Sequence, residues 1–444
     1  MAWNIRSVLA VAGLFASANA AAIATASSTS ATAPTSTPVP PHSDPWYTAT
    51  NDYADKQPGA VLKIRPAPGN LTQIAANASA SYNVMYRTTD SRYNATWAVT
   101  TIFVPKTPVN GTSALLSYQI PYDSAFIAAS PSYALYSGVN SDISGSLGKG
   151  WFVNVPDYEG PLASFTAGVM SGHATLDSIR AIHELAGLGI IDLSQDVRYA
   201  LWGYSGGALA SEWAAELQVQ YAPELNFAGV ALGGLTPNVT SVLLSINKSY
   251  SAGLAPAAML GLTSQYPEVQ EYIISQLNED GQYNKTTFLG ALNSTLSQTT
   301  NTFFSQDLSK YFKGGFATIL ENLTIQKVIN SDGIMGYHGV PQMPIFAYKA
   351  IGDKISPVAD TDKLINEYCS LGANILYQRN TIGGHVAEST NGNQAAQTWL
   401  NSVLGGTYAK DFPTEGCSIS NTNVNITNTP LRKRNVFSAW PSES

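Results

Sequence analysis

The chain has 444 residues, of which 44% are hydrophobic, and its formal net charge is −7. This length suffices for one large domain with a sizeable insertion, or for two domains. Only 12% of the residues are charged, which is low for a cytosolic protein. The mild acidity argues against nucleic acid as a partner, because no basic stripe is present to neutralise phosphates.

The first twenty residues have the pattern of a secretory signal peptide. Arg6 supplies a positive charge, residues 7–15 form a short apolar core, and the small residues Ala18 and Ala20 frame a cleavage site. This apolar run, like every later one, is too short to span a bilayer. We therefore predict a secreted, extracellular protein that is cleaved near Ala20, with an uncleaved anchor as the alternative.

Secretion gives meaning to two further features. Cys369 and Cys417 are the only cysteines, and in an oxidising compartment they most simply pair, a free reactive pair being the alternative. Asn-x-Ser/Thr sequons are dense, which predicts N-glycosylation at several of them. They lie at Asn70, Asn77, Asn94, Asn110, Asn238, Asn247, Asn284, Asn293, Asn322 and Asn425.

Short apolar runs alternate with segments of helical periodicity through most of the chain. This alternation predicts an α/β fold with a mainly parallel central sheet covered on both faces. The predicted strands lie within 97–105, 113–121, 150–158, 197–205, 226–234, 343–353 and 374–385, and the predicted helices within 173–189 and 207–222.

Residues 236–340 interrupt the alternation with helix-like, sequon-bearing sequence, which predicts a helical cap inserted into one α/β domain. The ends of the chain are polar, with a Ser/Thr/Pro-rich leader before the domain and the dibasic pair Lys433-Arg434 in the tail. The predicted organisation is a signal peptide (1–20), the leader (21–45), a first core part (46–235), the cap (236–340), a second core part (341–420) and the tail (421–444).

The stretch "GYSGG", residues 203–207, lies between a predicted strand and a predicted helix. A serine on so sharp a turn projects its hydroxyl above the sheet, and small flanking residues let strand and helix approach each other. The N–H of Gly206, which opens the helix, can donate to a developing oxyanion. Ser205 is therefore the predicted nucleophile, with a plain turn serine as the alternative.

A serine nucleophile needs a base that a carboxylate orients, and in hydrolases of this architecture the chain order is Ser, acid, His. His385 follows a strand in a glycine loop and is favoured over His338, the other histidine after Ser205. Asp353 follows the strand that resumes after the insertion, and it is favoured over Asp360 and Asp362, which resemble helix caps. His42 is in the leader, and His173 and His183 lie on a helix before the serine.

Together these segments resemble the fungal secretory lipases, the lipase A-type branch of the α/β-hydrolases, over residues 50–420. The segments that carry the resemblance are "YQIPYDSA", "PDYEGPLASFTAG", "GHATLDSIRA", "GYSGGA", "GDKISPV" and "GGHVAE". The resemblance implies a triad of Ser205, Asp353 and His385, and an oxyanion hole from the N–H groups of Gly206 and Asp123. From spacing alone, Asp123 is predicted to be a turn residue. Asp157 and Glu159 have the pattern of paired carboxylates for acid–base work, but a structural turn at a strand end is the favoured interpretation.

The resemblance also bears on the cysteines and the cap. Family members commonly bridge two positions around the histidine loop, where Cys369 and Cys417 fall. Some members carry a second bridge from the loop after the oxyanion aspartate to the cap, whereas that loop here, "SAFIAASPSY", has no cysteine. A looser cap is the expectation.

The sequence thus predicts a secreted serine lipase that hydrolyses triacylglycerols and related acyl esters through an acyl-enzyme. Neither a metal nor another cofactor is expected, and we expect a monomer that binds a lipid–water interface transiently. The apolar segments "SVLLSIN" and "LAPAAMLGL" of the insertion either line an acyl tunnel or pack the cap's own core. A narrow esterase that deacetylates a secondary metabolite, a serine peptidase and a non-catalytic surface glycoprotein are the alternatives.

Overall fold

The structure is a computed structural model that describes residues 37–108 and 114–426. The predicted signal peptide, the leader up to residue 36, the sequon at Asn110 and the pair Lys433-Arg434 lie outside these described residues.

A single ten-stranded sheet runs through the described part of the chain in the order β1-β2-β3-β5-β4-β6-β7-β8-β9-β10. The first pairs, β1–β2, β2–β3 and β3–β5, are antiparallel, and every pair from β5 to β10 is parallel. The predicted α/β fold with a mainly parallel sheet is confirmed. The strands are β1 Val61–Pro66, β2 Ala78–Thr89, β3 Ala95–Pro105, β4 Ala114–Gln119, β5 Phe152–Pro156, β6 Arg198–Tyr204, β7 Gly229–Gly233, β8 Ile345–Ala350, β9 Ile375–Asn380 and β10 Cys417–Thr422.

Helices cover both faces of the sheet. One face packs against α4 and α5, and the other against α3 and α15, so that each face buries its own apolar cluster. The helices are α1 Leu71–Ile74, α2 Pro131–Ala134, α3 Ser141–Gly148, α4 Gly168–Gly187, α5 Gly206–Tyr221, α6 Val239–Ile246, α7 Leu254–Thr263, α8 Pro267–Ser275, α9 Lys285–Leu289, α10 Leu296–Phe303, α11 Ala317–Leu320, α12 Leu323–Asp332, α13 Val358–Ser370, α14 His385–Asn391, α15 Asn393–Gly405 and α16 Tyr408–Asp411. Short 3-10 turns lie at Pro45–Tyr47, Tyr53–Asp55, Ile127–Ala129, Leu135–Ser137, Gly160–Leu162, Gly290–Asn293 and Leu308–Tyr311.

The helices α6 to α12 lie between β7 and β8, where the sequence interrupts its alternation of strand and helix. Their own aromatic cluster joins Phe288, Phe303, Tyr311 and Phe312, all buried. We call this segment the cap. Three predicted sequon asparagines, Asn238, Asn284 and Asn322, cap the starts of α6, α9 and α12 by accepting backbone N–H groups through their side chains.

The sequence did not predict β1, β2 or β10. In β2, the buried polar residues Ser81, Asn83 and Thr88 interrupt the apolar alternation that marks a half-buried strand. In β10, the sequence is "CSISNT" and its side chains are largely exposed, so no hydrophobic pattern exists.

Cys369 at the end of α13 and Cys417 at the start of β10 form a disulfide with an S–S distance of 2.03 Å. The bridge therefore fastens the edge strand β10 to a helix of the core. Over the described ranges, no helix combines the length and apolar character needed to cross a membrane.

Candidate active site

Ser205 occupies the sharp turn between β6 and α5. Its backbone has a φ of 56° and a ψ of −121°, a conformation that L-residues rarely adopt. The N–H of Ser205 donates to the carbonyl of Gly233 at 2.8 Å, which holds the turn against β7. A Cβ at Gly203 would lie under 3.0 Å from the backbone of Gly207, so only glycine permits this approach of strand and helix.

The structure brings the three residues proposed from sequence into one hydrogen-bonded chain. His385 Nε2 lies 2.8 Å from Ser205 Oγ, and His385 Nδ1 lies 2.6 Å from Asp353 Oδ2. His385 is the first residue of α14, and Asp353 lies in the loop after β8. All three side chains are buried, so the chain of hydrogen bonds is largely shielded from solvent.

Both carboxylate oxygens of Asp353 accept two hydrogen bonds each. Its Oδ1 accepts the backbone N–H groups of Ile355 and Ser356 at 2.8 and 2.9 Å, and its Oδ2 accepts Lys349 Nζ at 3.0 Å besides His385. Burial alone would raise the pKa of Asp353, but His385 and Lys349 beside it bring that pKa well below its ordinary value. Asp353 is therefore a fixed anion that accepts from the imidazole.

Asp123 lies beside the start of α5. Its backbone has a φ of 46°, and a Cβ at Gly206 would lie under 3.0 Å from its Oδ1. That oxygen is buried and has no hydrogen-bond partner among the described residues, and burial raises the pKa of the Asp123 carboxyl to about 7. Asp123, Ser205 and Gly206 line the same cavity, so the two residues proposed for the oxyanion hole are neighbours of the serine.

The cavity extends from Ser205 into the cap and is partly open to solvent. Its walls are apolar side chains from α6, α7, α8, α11 and α12, with Leu209 and Ile355 from the core. Apart from threonines, the polar lining residues are Asp123 and Ser205, at one end. The segments "SVLLSIN" and "LAPAAMLGL" both contribute lining residues, among them Leu243 and Leu254, which are also buried in the apolar core.

The loop that carries Asp123 is tied to the cap without a disulfide. Ser124 Oγ donates to the carbonyl of Ser294 at 2.8 Å, and Ser124 is fully buried. This hydrogen bond links the loop after Asp123 to the cap in a chain whose loop has no cysteine.

The other histidines named from sequence lie elsewhere. His338 stands against α5, with its backbone N–H donating to Glu216 Oε1 at 2.6 Å. His173 is buried, its ring stacks on Tyr221 at 3.8 Å, and burial lowers the pKa of its imidazole to about 3. His183 packs edge-on against Tyr199. None of these contacts leads to Ser205.

The other carboxylates named from the sequence take no part in the hydrogen-bonded chain of Ser205, His385 and Asp353. Asp157 accepts the backbone N–H and the hydroxyl of Ser132 at 2.7 and 2.5 Å, at the start of α2. Asp360 lies in the first turn of α13, and Asp362 pairs with Arg379 at 3.1 Å. Glu159 is fully buried, and burial raises the pKa of its carboxyl well above the ordinary value.

Sequence reasoning missed one residue of this site, Lys349. Its Nζ is buried and bonds Asp353 Oδ2, yet in "MPIFAYKAIGD" it is one more position of an apolar strand. The available signal was a lysine inside a buried strand four residues before an aspartate. No group of three or more metal-binding side chains occurs within the described stretches.

Comparisons with known proteins agree with this geometry. The family model for secretory lipases matches residues 139–411. The chain is 49% identical to the trichothecene C-3 esterase of Fusarium sporotrichioides, over 91% of this chain and 94% of that protein. It is 36% identical to lipase A of Arthroderma benhamiae, over 86% of this chain and 83% of that protein.

A crystal structure of Candida antarctica lipase A superposes on this chain with a TM-score of 0.78. The two chains are 27% identical, and the match covers 88% of this chain and 91% of that chain. This likeness confirms the predicted α/β-hydrolase fold.

Proposed function

This chain belongs to the secretory lipase family, a family of hydrolases that act on ester bonds, and we propose that it cleaves carboxylic esters through an acyl-enzyme on Ser205. The observation that carries the proposal is the unbroken hydrogen-bonded chain from Ser205 through His385 to Asp353, placed at the polar end of an apolar cavity.

In the first half of the reaction, His385 Nε2 removes the proton of Ser205 Oγ while that oxygen attacks the ester carbonyl carbon. Asp353 keeps the imidazole oriented and stabilises the imidazolium that forms, without taking its proton. When the tetrahedral intermediate collapses, His385 gives the proton to the departing alcohol oxygen. The acyl group is then esterified to Ser205.

In the second half, His385 removes a proton from water, and the resulting hydroxide attacks the acyl carbonyl. Collapse of this intermediate releases the carboxylic acid and returns the proton to Ser205 Oγ. In both halves, the oxyanion accepts from the N–H groups of Gly206 and Asp123. Gly206 opens α5, so its N–H has no acceptor within the helix and lies at the positive end of the helix dipole.

For the substrate, we infer an ester with an apolar acyl chain, such as a triacylglycerol. The support is the extent of the apolar wall, which five cap helices supply and which removes hydrocarbon from water. The acyl chain would lie along this wall, with its carbonyl at the polar end beside Ser205, Gly206 and Asp123.

A second candidate is the removal of an acetyl group from a secondary metabolite. The 49% identity to a trichothecene C-3 esterase, over nearly the whole length of both proteins, supports it. In that case the apolar cavity would enclose part of the metabolite's skeleton rather than a long acyl chain.

The test is hydrolysis of p-nitrophenyl esters from acetate to palmitate, emulsified triolein, a trichothecene acetylated at C-3 and a peptide, with Ser205→Ala as the control. Preference for long chains and triolein, lost in Ser205→Ala, is the expected result. Turnover confined to acetates supports the deacetylase, and cleavage of peptides but not simple esters supports a peptidase. Activity that survives in Ser205→Ala refutes the acyl-enzyme on Ser205.

We also propose a secreted, N-glycosylated monomer that meets its substrate at a lipid–water interface. The family's secretory character supports the extracellular setting, and Asn70, Asn77, Asn94, Asn293 and Asn425 are exposed. Intact mass before and after removal of N-glycans, together with light scattering, tests glycosylation and oligomeric state.

A further inference from the structure

Lys349 on β8 is buried, and its Nζ joins two loops that meet at the active site. The ammonium donates to the carbonyl of Leu235, just after β7, at 2.7 Å and to Asp353 Oδ2 at 3.0 Å. The side chain is 1% exposed. Burial lowers the pKa of Lys349, and the carboxylate of Asp353 opposes that effect.

The hydrogen bond from Lys349 is not needed to hold Asp353. Two backbone N–H groups already fill Oδ1, and His385 Nδ1 donates to Oδ2 at 2.6 Å. The Leu235 carbonyl likewise accepts the hydroxyls of Ser356 and Thr361 at 3.0 and 3.3 Å. A buried charge is costly, so what Lys349 adds beyond these contacts is a positive charge on the oxygen that orients His385.

We propose that Lys349 is a positioning residue whose buried charge partly neutralises Asp353 and thereby keeps the imidazole of His385 uncharged, and able to act as a base, at acidic pH. This inference rests on the proposed function of the three residues. Because Lys349 and His385 donate to the same Oδ2, a proton on the imidazole places two positive charges on one carboxylate oxygen. The ammonium therefore disfavours the protonated resting state, in which Ser205 has no base.

Other ionisable groups lie near Lys349, Asp353 and His385, and their own titration could also change the pH profile. The ones that face Lys349, Asp353 or His385 are Asp360 and Asp362 on α13, Tyr377 on β9, Glu388 on α14 and Tyr204 on β6. Burial raises the pKa of Glu388 to about 7, so its ionisation falls in the range where the activity is measured. Glu388→Gln is therefore the matched control.

The experiment is the pH profile of kcat/KM for a p-nitrophenyl ester with the parent, Lys349→Met and Glu388→Gln. The acidic limb of the profile is the pH range in which kcat/KM rises as His385 loses its proton. Lys349→Met removes a unit charge a few ångströms from the imidazole, so the midpoint of this limb is expected at a pH about one to two units higher than in the parent. The plateau at higher pH is not lower than that of the parent, because the contacts of Asp353 remain. In Glu388→Gln, the limb moves by less than that of Lys349→Met.

A merely structural lysine gives a different result. A uniform fall of kcat/KM across the whole pH range, with an unmoved acidic limb, overturns the proposal. Lys349→Gln, which keeps a donor but no charge, moves the limb as Lys349→Met does, whereas a limb that moves only in Lys349→Met assigns the effect to the hydrogen bond and refutes the role of charge.

If neither uncharged variant folds, the parent and a charged variant supply the test. The pH dependence of the parent's labelling by a fluorophosphonate reports the same limb and is compared with that of Lys349→Arg, which keeps the buried charge, and an upward shift of the limb in Lys349→Arg overturns the proposal. Failure of the proposed function is distinct, because labelling or turnover would then survive in Ser205→Ala.

Discussion

Gly206→Ala tests the oxyanion hole directly. A Cβ at this position would lie under 3.0 Å from Asp123 Oδ1, and the next atoms, Asp123 Cγ and Phe165 Cε2, are at 3.2 and 3.5 Å. The contact that must give is therefore with Asp123 alone. We expect the buried carboxyl to shift together with the Asp123 backbone, which displaces one of the two proposed donors; the loss of one such donor elsewhere costs about 10²–10³ in kcat.

Gly206→Ala is expected to lose only the roughly 1–3 kcal/mol of stability that an added methyl group costs in a packed interior. Residue 206 is the first of α5, where alanine is at least as favourable as glycine, and the displaced oxygen of Asp123 gives up no hydrogen bond with the described residues. Gly145→Ala is the matched control, since Gly145 lies within α3 and a Cβ there meets no atom within 4 Å. This control is expected to keep the parent's kcat and to gain up to about 1 kcal/mol of stability.

The assay is kcat and KM on p-nitrophenyl esters, with thermal unfolding measured alongside. A second substitution sharpens it: Asp123→Gly removes the clashing carboxyl, keeps the backbone N–H and suits the positive φ. The double variant is therefore expected to recover most of the kcat lost in Gly206→Ala. A Gly206→Ala variant with the parent's kcat refutes the expected displacement of the Asp123 backbone, and a double variant no better than the single one refutes the placement of Asp123 in the oxyanion hole.

Three further changes have outcomes that follow from the structure. The chain-entropy cost of a loop closed over 48 residues predicts that Cys369→Ser with Cys417→Ser loses up to about 4 kcal/mol in urea unfolding, and an unchanged midpoint contradicts this. Burial raises the pKa of Asp332 to about 7, so the folded state holds more protons than the unfolded state between about pH 4 and 7, and this contribution to the free energy of unfolding falls as pH rises. Asp332→Asn should flatten that fall, and a variant whose stability depends on pH as the parent's does refutes the argument. Ala258→Phe adds a ring to the cavity wall and should abolish palmitate hydrolysis while acetate hydrolysis, the internal control, persists.

The sequence was sufficient where a local pattern reflects a local constraint. The strand before Ser205, the glycines around it and the helix after it are contiguous, so "GYSGG" predicted the turn that the structure has. Asp353 and His385 were located by chain order and by the strands that precede them. The structure brings both to Ser205.

What the sequence did not predict depends on contacts between distant segments. Lys349 pairs with Asp353 across a turn after β8. Its second partner, Leu235, is 114 residues away along the chain, because the whole cap segment lies between them in sequence. The strand β10 is exposed, and its place in the sheet comes from β9 and the disulfide rather than from an apolar pattern. The link from Ser124 to Ser294 joins two polar residues that no periodicity relates.

The edge position of β10 also bears on self-association. In the described residues, β10 pairs with β9 alone, so its outer backbone groups form a template to which a strand of another molecule can add. Ile419 is the one large apolar residue in "CSISNT", which denies an incoming strand the apolar contacts that sustain cross-β stacking. A glycan on Asn425, three residues beyond β10, would add a steric barrier beside the same edge. The scarcity of large apolar side chains in β10 and a glycan on Asn425 would thus both oppose edge-to-edge aggregation.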